Sequence, residues 1–138
     1  MFQSAMADDD AELAARAQAQ QFKAKGNEAF KRGKYNDAVT MYTQAIELDP
    51  DDHVYYSNRS AAFLSLGGAK SKALKDAERC IELRPDWSKG YSRLGAAQQA
   101  LTRFDQAIET YHRGLRTQPS CVALQEALRE AHAARKKW

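Results

Sequence analysis

Proline, glycine and cysteine are scarce, at three, seven and two of 138 residues. So few glycines exclude a collagen-like repeat and a Gly-rich phosphate loop. Cys80 and Cys121 stand 41 positions apart, which suits neither a metal site nor the disulfide framework of a small secreted domain. Reduced thiols and a cytoplasmic location are expected. No apolar run approaches the roughly 18 residues of a membrane span, and Asp8-Asp9-Asp10 stands where a secretory signal would be basic and then apolar. A net charge of +3 is too small to draw nucleic acid or a membrane surface by bulk charge. His53, His112 and His132 lack partners at ligand spacing, and no Ser or Cys sits in a nucleophile motif. No metal, no cofactor and no catalytic residue are expected, so the chain reads as a non-enzyme. Phe2-Gln3-Ser4 resembles the remnant of a tag-cleavage site and Met6 suits a natural start, so residues 1–5 are set aside.

What the chain does have is helix-forming sequence. It is 43% hydrophobic and 28% charged, rich in Ala, Leu, Gln, Glu, Lys and Arg, which predicts an all-α protein of a length that holds about one core. The three prolines, Pro50, Pro85 and Pro119, are 35 and 34 residues apart, and that is a repeat period. Small and aromatic residues recur ahead of each: Ala38, Tyr42 and Ala45; Ala73, Ala77 and Cys80; Ala107, Tyr111 and Gly114. Gly26, Ser60 and Gly95 form another aligned set, with Phe22, Tyr56 and Tyr91 four residues before them.

Small residues at spacings of four and three lie on one helical stripe and let a second helix approach closely. Each copy is therefore a helix pair that proline ends. The copies span 19–52, 53–87 and 88–121, after an N-terminal tail and helix lead-in over 1–18. In the first copy the helices are expected to end near Lys31 and to run from Tyr35 to Leu48, with Asp51 or Asp52 capping the next helix. The second copy is one residue longer, and Gly67-Gly68 marks the extra residue in its inter-helix turn. A last amphipathic segment, 122–138, presents Val122, Leu124, Leu128 and Ala131 and is expected to cover the open end of the stack.

At 100° per residue, repeat positions 2, 5, 6 and 9 of each first helix share an arc opposite the core arc. They are Gln20, Lys23, Ala24 and Asn27; Val54, Ser57, Asn58 and Ala61; Lys89, Ser92, Arg93 and Ala96. None is acidic. Three cations and the carboxamides of Asn27 and Asn58, set among small residues, describe a groove for an anionic peptide. From the residues alone, Lys23, Lys89 and Arg93 are equally a solvated helix face, and Asn27 and Asn58 could instead satisfy nearby backbone groups.

The repeat pattern resembles the tetratricopeptide repeat, which implies a right-handed α-solenoid of three helix pairs plus a capping helix. Lys25 and Arg59 depart from it by standing where a leucine is usual, and Cys80 by replacing an alanine. Lys23, Asn27, Asn58, Lys89 and Arg93 match one by one the carboxylate clamp of chaperone-binding members. The strings Lys25-Gly26-Asn27, Tyr56-Ser57-Asn58-Arg59-Ser60-Ala61-Ala62 and Asp86-Trp87-Ser88-Lys89-Gly90-Tyr91-Ser92-Arg93 are similar in particular to the first such domain of the heat-shock organising proteins. The resemblance implies a co-chaperone module, monomeric in isolation, that captures the Glu-Glu-Val-Asp C-terminus of heat-shock chaperones, the seventy-kilodalton class favoured. Ala61 and Leu64 would then border the pocket for a peptide side chain. The alternatives are a scaffold for another protein partner, or the targeting module of a larger enzyme such as an immunophilin or phosphatase.

Overall fold

The computed structural model describes residues 2–138, and side chains from Asp8 onward. The reading of residues 1–5 as a tag remnant therefore lies outside the described side chains and, for Met1, outside the described residues. Seven helices succeed one another: α1 (Phe2–Lys31), α2 (Tyr35–Leu48), α3 (His53–Leu66), α4 (Lys70–Leu83), α5 (Ser88–Ala100), α6 (Phe104–Thr117) and α7 (Val122–Lys136). The described residues contain no strand. Each helix packs on the next, while α3 also touches α1 and α5, and α5 touches α7. Helix pairs α1/α2, α3/α4 and α5/α6 thus stack as an α-solenoid, with α7 on the last pair.

The repeat has a repeated cause at each turn. Asp49, Arg84 and Gln118, the residues before the prolines, end α2, α4 and α6 at φ/ψ of −146°/79°, −142°/81° and −145°/84°, because a residue preceding proline is driven out of the helical region. The Tyr56 and Tyr91 hydroxyls then donate to the carbonyls of Pro50 (2.7 Å) and Pro85 (2.6 Å). Asp52 caps α3 by accepting from the Val54 amide at 2.9 Å, the bond that an N-cap side chain supplies. Gly33, Gly67 and Thr102 take positive φ of 75°, 83° and 60° between paired helices. Gly68 follows Gly67 in the turn between α3 and α4, which is three residues long like the turns of the other two pairs.

The core consists of small residues against tyrosines. Ala38, Ala45, Ala73, Ala77, Cys80 and Ala107 are fully buried, and Tyr42, Tyr91 and Tyr111 nearly so. A Cβ on Gly26 or Gly95 would enter the ring of Tyr42 or Tyr111, so the missing side chain is what admits each ring from the paired helix. Tyr111 is anchored by donating to Gln99 at 2.5 Å.

Two expectations change. Residues expected as a tail and lead-in continue α1, because Ala, Glu, Leu, Arg and Gln over 11–20 are strong helix formers. Val122, expected on the covering face of α7, is 61% exposed, whereas Leu124 and Ala131 are fully buried and Leu128 packs beside them. Val122 lies two residues from Leu124, hence roughly 200° around the helix.

Candidate functional site

The first helices of the three pairs, α1, α3 and α5, lie side by side and carry every residue of the expected groove. Two adjoining cavities open between them. One, of about 230 Å³, is lined by Asn27, Phe30, Lys31, Tyr42, Asn58, Ala61 and Arg93. The other, of about 260 Å³, is lined by Phe30, Ser60, Ala61, Leu64, Ser65, Arg93 and Ala96. Asn27, Asn58, Ala61 and Arg93 thus meet around the first space, and Leu64 joins Ala61 and Arg93 around the second. Lys23 and Lys89 line neither. They stand four residues before Asn27 and Arg93, one turn away on the same helix faces, Lys23 half-buried and Lys89 exposed.

The polar groups are held in a defined arrangement. Asn27 Oδ1 accepts from the Tyr42 hydroxyl at 2.6 Å and from Asn58 Nδ2 at 3.3 Å, so the two amides face each other across α1 and α3. Arg93 Nε donates to Ser57 Oγ at 3.2 Å. Ser57 itself is fully buried, so this position, expected to line the groove, instead lies beneath it and supports Arg93.

Electrostatics marks Arg93 out. Neither cavity is lined by an acid. Among the described residues, Lys23, Lys89 and Arg93 form no salt bridge. Burial lowers the pKa of the Arg93 guanidinium below its ordinary value, opposed by weaker influences from Cys80 and Tyr42. Even a half-buried charge without a counter-charge carries a desolvation cost, and an incoming carboxylate would relieve it.

Arg59 behaves differently. Its guanidinium meets the Asp76 carboxylate through two bonds of 2.7 Å and also donates to Thr43 Oγ1 at 3.2 Å, so it ties α3 to α4 and α2. Among the described residues no group of three or more His, Cys, Asp or Glu side chains could hold a metal. Cys80 and Cys121 are both free thiols, and burial pushes the Cys80 thiol up to about 11.

Sequence reasoning missed Phe30, Lys31 and Tyr42 as lining residues. Phe30 and Lys31 had a signal: the series 2, 5, 6, 9 continues to positions 12 and 13 of the repeat. Tyr42 had none, because it belongs to the second helix of its pair and reaches the groove between the others.

A TPR repeat family model matches residues 26–67, and a tetratricopeptide repeat model matches residues 91–123. The Hsp70-Hsp90 organizing protein of Triticum aestivum is 47% identical over 116 residues, which are 84% of this chain and 20% of that protein. The chain spans about a fifth of the length of such a relative. Among solved structures, the first TPR of Spaghetti (RPAP3) bound to the HSP90 peptide SRMEEVD is 34% identical with a TM-score of 0.80, covering 86% of this chain and 96% of that one. The second TPR domain of human RPAP3, in complex with the HSP70 peptide SGPTIEEVD, is 29% identical with a TM-score of 0.80, covering 86% and 98%. With its repeat period, stacked helix pairs and these matches, the chain belongs to the tetratricopeptide repeat family, as a right-handed α-solenoid similar to the domains of Hsp70-Hsp90 organising proteins.

Proposed function

We propose that the concave face binds the C-terminal Glu-Glu-Val-Asp tail of a heat-shock chaperone, making the domain a co-chaperone adaptor with a binding and no catalytic role. The observation that carries this reading is Arg93, a half-buried cation without an acidic partner that faces the same cavity as Asn27 and Asn58. A terminal Asp brings two carboxylates. Asn27 Nδ2, Asn58 Nδ2 and Arg93 supply donors at the cavity, and Lys23 and Lys89 add charge one turn away. Charge-assisted bonds of about 1.5–3 kcal/mol each, less the cost of ordering a flexible peptide, give an affinity in the micromolar range, near about −8 kcal/mol.

The space bordered by Ala61 and Leu64, with Phe30 and Ala96, suits an apolar side chain of the tail. The peptides of the two similar complexes end in EEVD, which supports the tail as ligand. The seventy-kilodalton class is favoured by the three strings that resemble the first domain of the organising proteins. A cytoplasmic setting agrees with the free thiols.

Titration calorimetry with SGPTIEEVD and SRMEEVD tests the reading. Binding of both, tighter for the first, is the expected result. Absence of heat with either would remove the tail as ligand, and a tighter second peptide would remove the class preference alone.

A further inference from the structure

We propose that Tyr42 is the positioning residue that keeps Asn27 turned as a hydrogen-bond donor toward the ligand. The inference rests on the groove being a carboxylate receptor. It starts from the inventory of an asparagine side chain: one oxygen with two lone pairs, and one nitrogen with two protons. In Asn27 the oxygen is fully engaged, accepting from the Tyr42 hydroxyl at 2.6 Å and from Asn58 Nδ2 at 3.3 Å. The group left to offer is the NH₂, the half of the amide that attracts an anion.

The Tyr42 bond is the shorter of the two, and its donor cannot drift. Tyr42 is 2% exposed and packs with Ala38 and Ala62. Its ring lies so close to Gly26 that a Cβ there would come within 2.5 Å of Cε1. Burial also raises the phenol pKa, so the hydroxyl keeps its proton to donate. Asn58 alone would leave the Asn27 amide free to turn over, which presents oxygen instead of N–H to a carboxylate. Tyr42 comes from α2, behind the three helices that form the groove, and sets the polarity of a contact that it does not itself make.

The test is a double-mutant cycle read by calorimetry with SGPTIEEVD, comparing wild type, Tyr42→Phe, Asn27→Ala and the double variant. Phenylalanine keeps the ring that packs against Gly26 and removes only the donor. Tyr42→Phe is expected to weaken binding about fivefold to tenfold, up to about 1.4 kcal/mol, and to have no further effect in the Asn27→Ala background. A purely structural hydroxyl would lower thermal stability and act equally in both backgrounds, and that result overturns the assignment. So does unchanged affinity in Tyr42→Phe beside a wild type that binds, while the carboxylate receptor stands. A wild type that ignores the peptide overturns both. Should Tyr42→Phe not fold, the NMR signals of the wild-type Asn27 side-chain NH₂ decide: peptide is expected to shift them strongly, and unmoved signals would contradict the donor orientation.

Discussion

Arg59 of α3 grips Asp76 of α4 through two parallel bonds, Nε to Oδ2 and Nη2 to Oδ1, both 2.7 Å. The side chains are only 19% and 7% exposed. Burial raises the Asp76 carboxyl pKa, against the pull of Arg59, so the pair offsets a desolvation cost rather than adding freely to stability. Removal of one partner strands the other. Asp76→Ala is expected to destabilise the domain by about 3–5 kcal/mol, read as a drop in the denaturation midpoint. An Arg59→Leu/Asp76→Ala double variant should recover much of that loss, since it leaves no unpaired charge. A single variant as stable as wild type would show that the pair does not hold α3 to α4.

Arg93→Ala and Lys89→Ala are each expected to weaken tail binding at least about tenfold, about 1.4 kcal/mol, while the melting temperature moves by no more than a few degrees. Neither side chain forms a salt bridge among the described residues. Both losses should shrink at high salt, where the attraction is screened. Calorimetry beside thermal melts checks this, and a variant that unfolds would make its residue a structural one.

Deletion of residues 121–138 should destabilise the domain by several kcal/mol and promote aggregation. Leu124 is fully buried and packs on Gly114, where a Cβ would come within 2.8 Å of it. Loss of one such burial costs about 1.5–3 kcal/mol, and the exposed face of α5/α6 becomes an apolar patch. An unchanged melting temperature with a monomeric profile on size exclusion would contradict the covering role of α7.

His53 stacks edge-on against Trp87, with ring centroids 4.7 Å apart. Burial, and then Arg84, hold its imidazole below the ordinary value of 6.5. A depressed folded pKa means that the unfolded chain takes up the proton first. Stability present above about pH 6.5 is therefore lost as pH falls through that value toward the folded pKa. The melting temperature is expected to fall between about pH 7 and 5.5, and less steeply in His53→Gln. Equal slopes would exclude His53 as the titrating group.

The repeat architecture could be read from the chain because it depends on residue size at fixed spacing. Ala38, Tyr42 and Ala45 lie on one helical stripe, their counterparts recur at each proline, and all three are buried. The turn at Asp52 was readable for a similar local reason. The Arg59–Asp76 pair was not, since an Arg and an Asp 17 positions apart look like two surface charges until α3 and α4 are laid together. Tyr42 belongs to the recurring small-and-aromatic pattern. That its hydroxyl would emerge at Asn27 depends on how α2 crosses α1, which no local spacing encodes. Val122 misled because it is apolar and adjacent to a true face, though two residues out of register with it.

Affinity for a Glu-Glu-Val-Asp peptide as the free acid, set beside the same peptide with an amidated C-terminus, tests the groove as a carboxylate receptor most directly. Amidation removes one of two anionic groups from the last residue and turns a donor toward Asn27, Asn58 and Arg93. Buried donors left without an acceptor cost about 2–3 kcal/mol. The amide is therefore expected to bind roughly 30- to 150-fold more weakly. Equal affinity for acid and amide would contradict the carboxylate clamp and leave the tetratricopeptide fold without the ligand proposed for it.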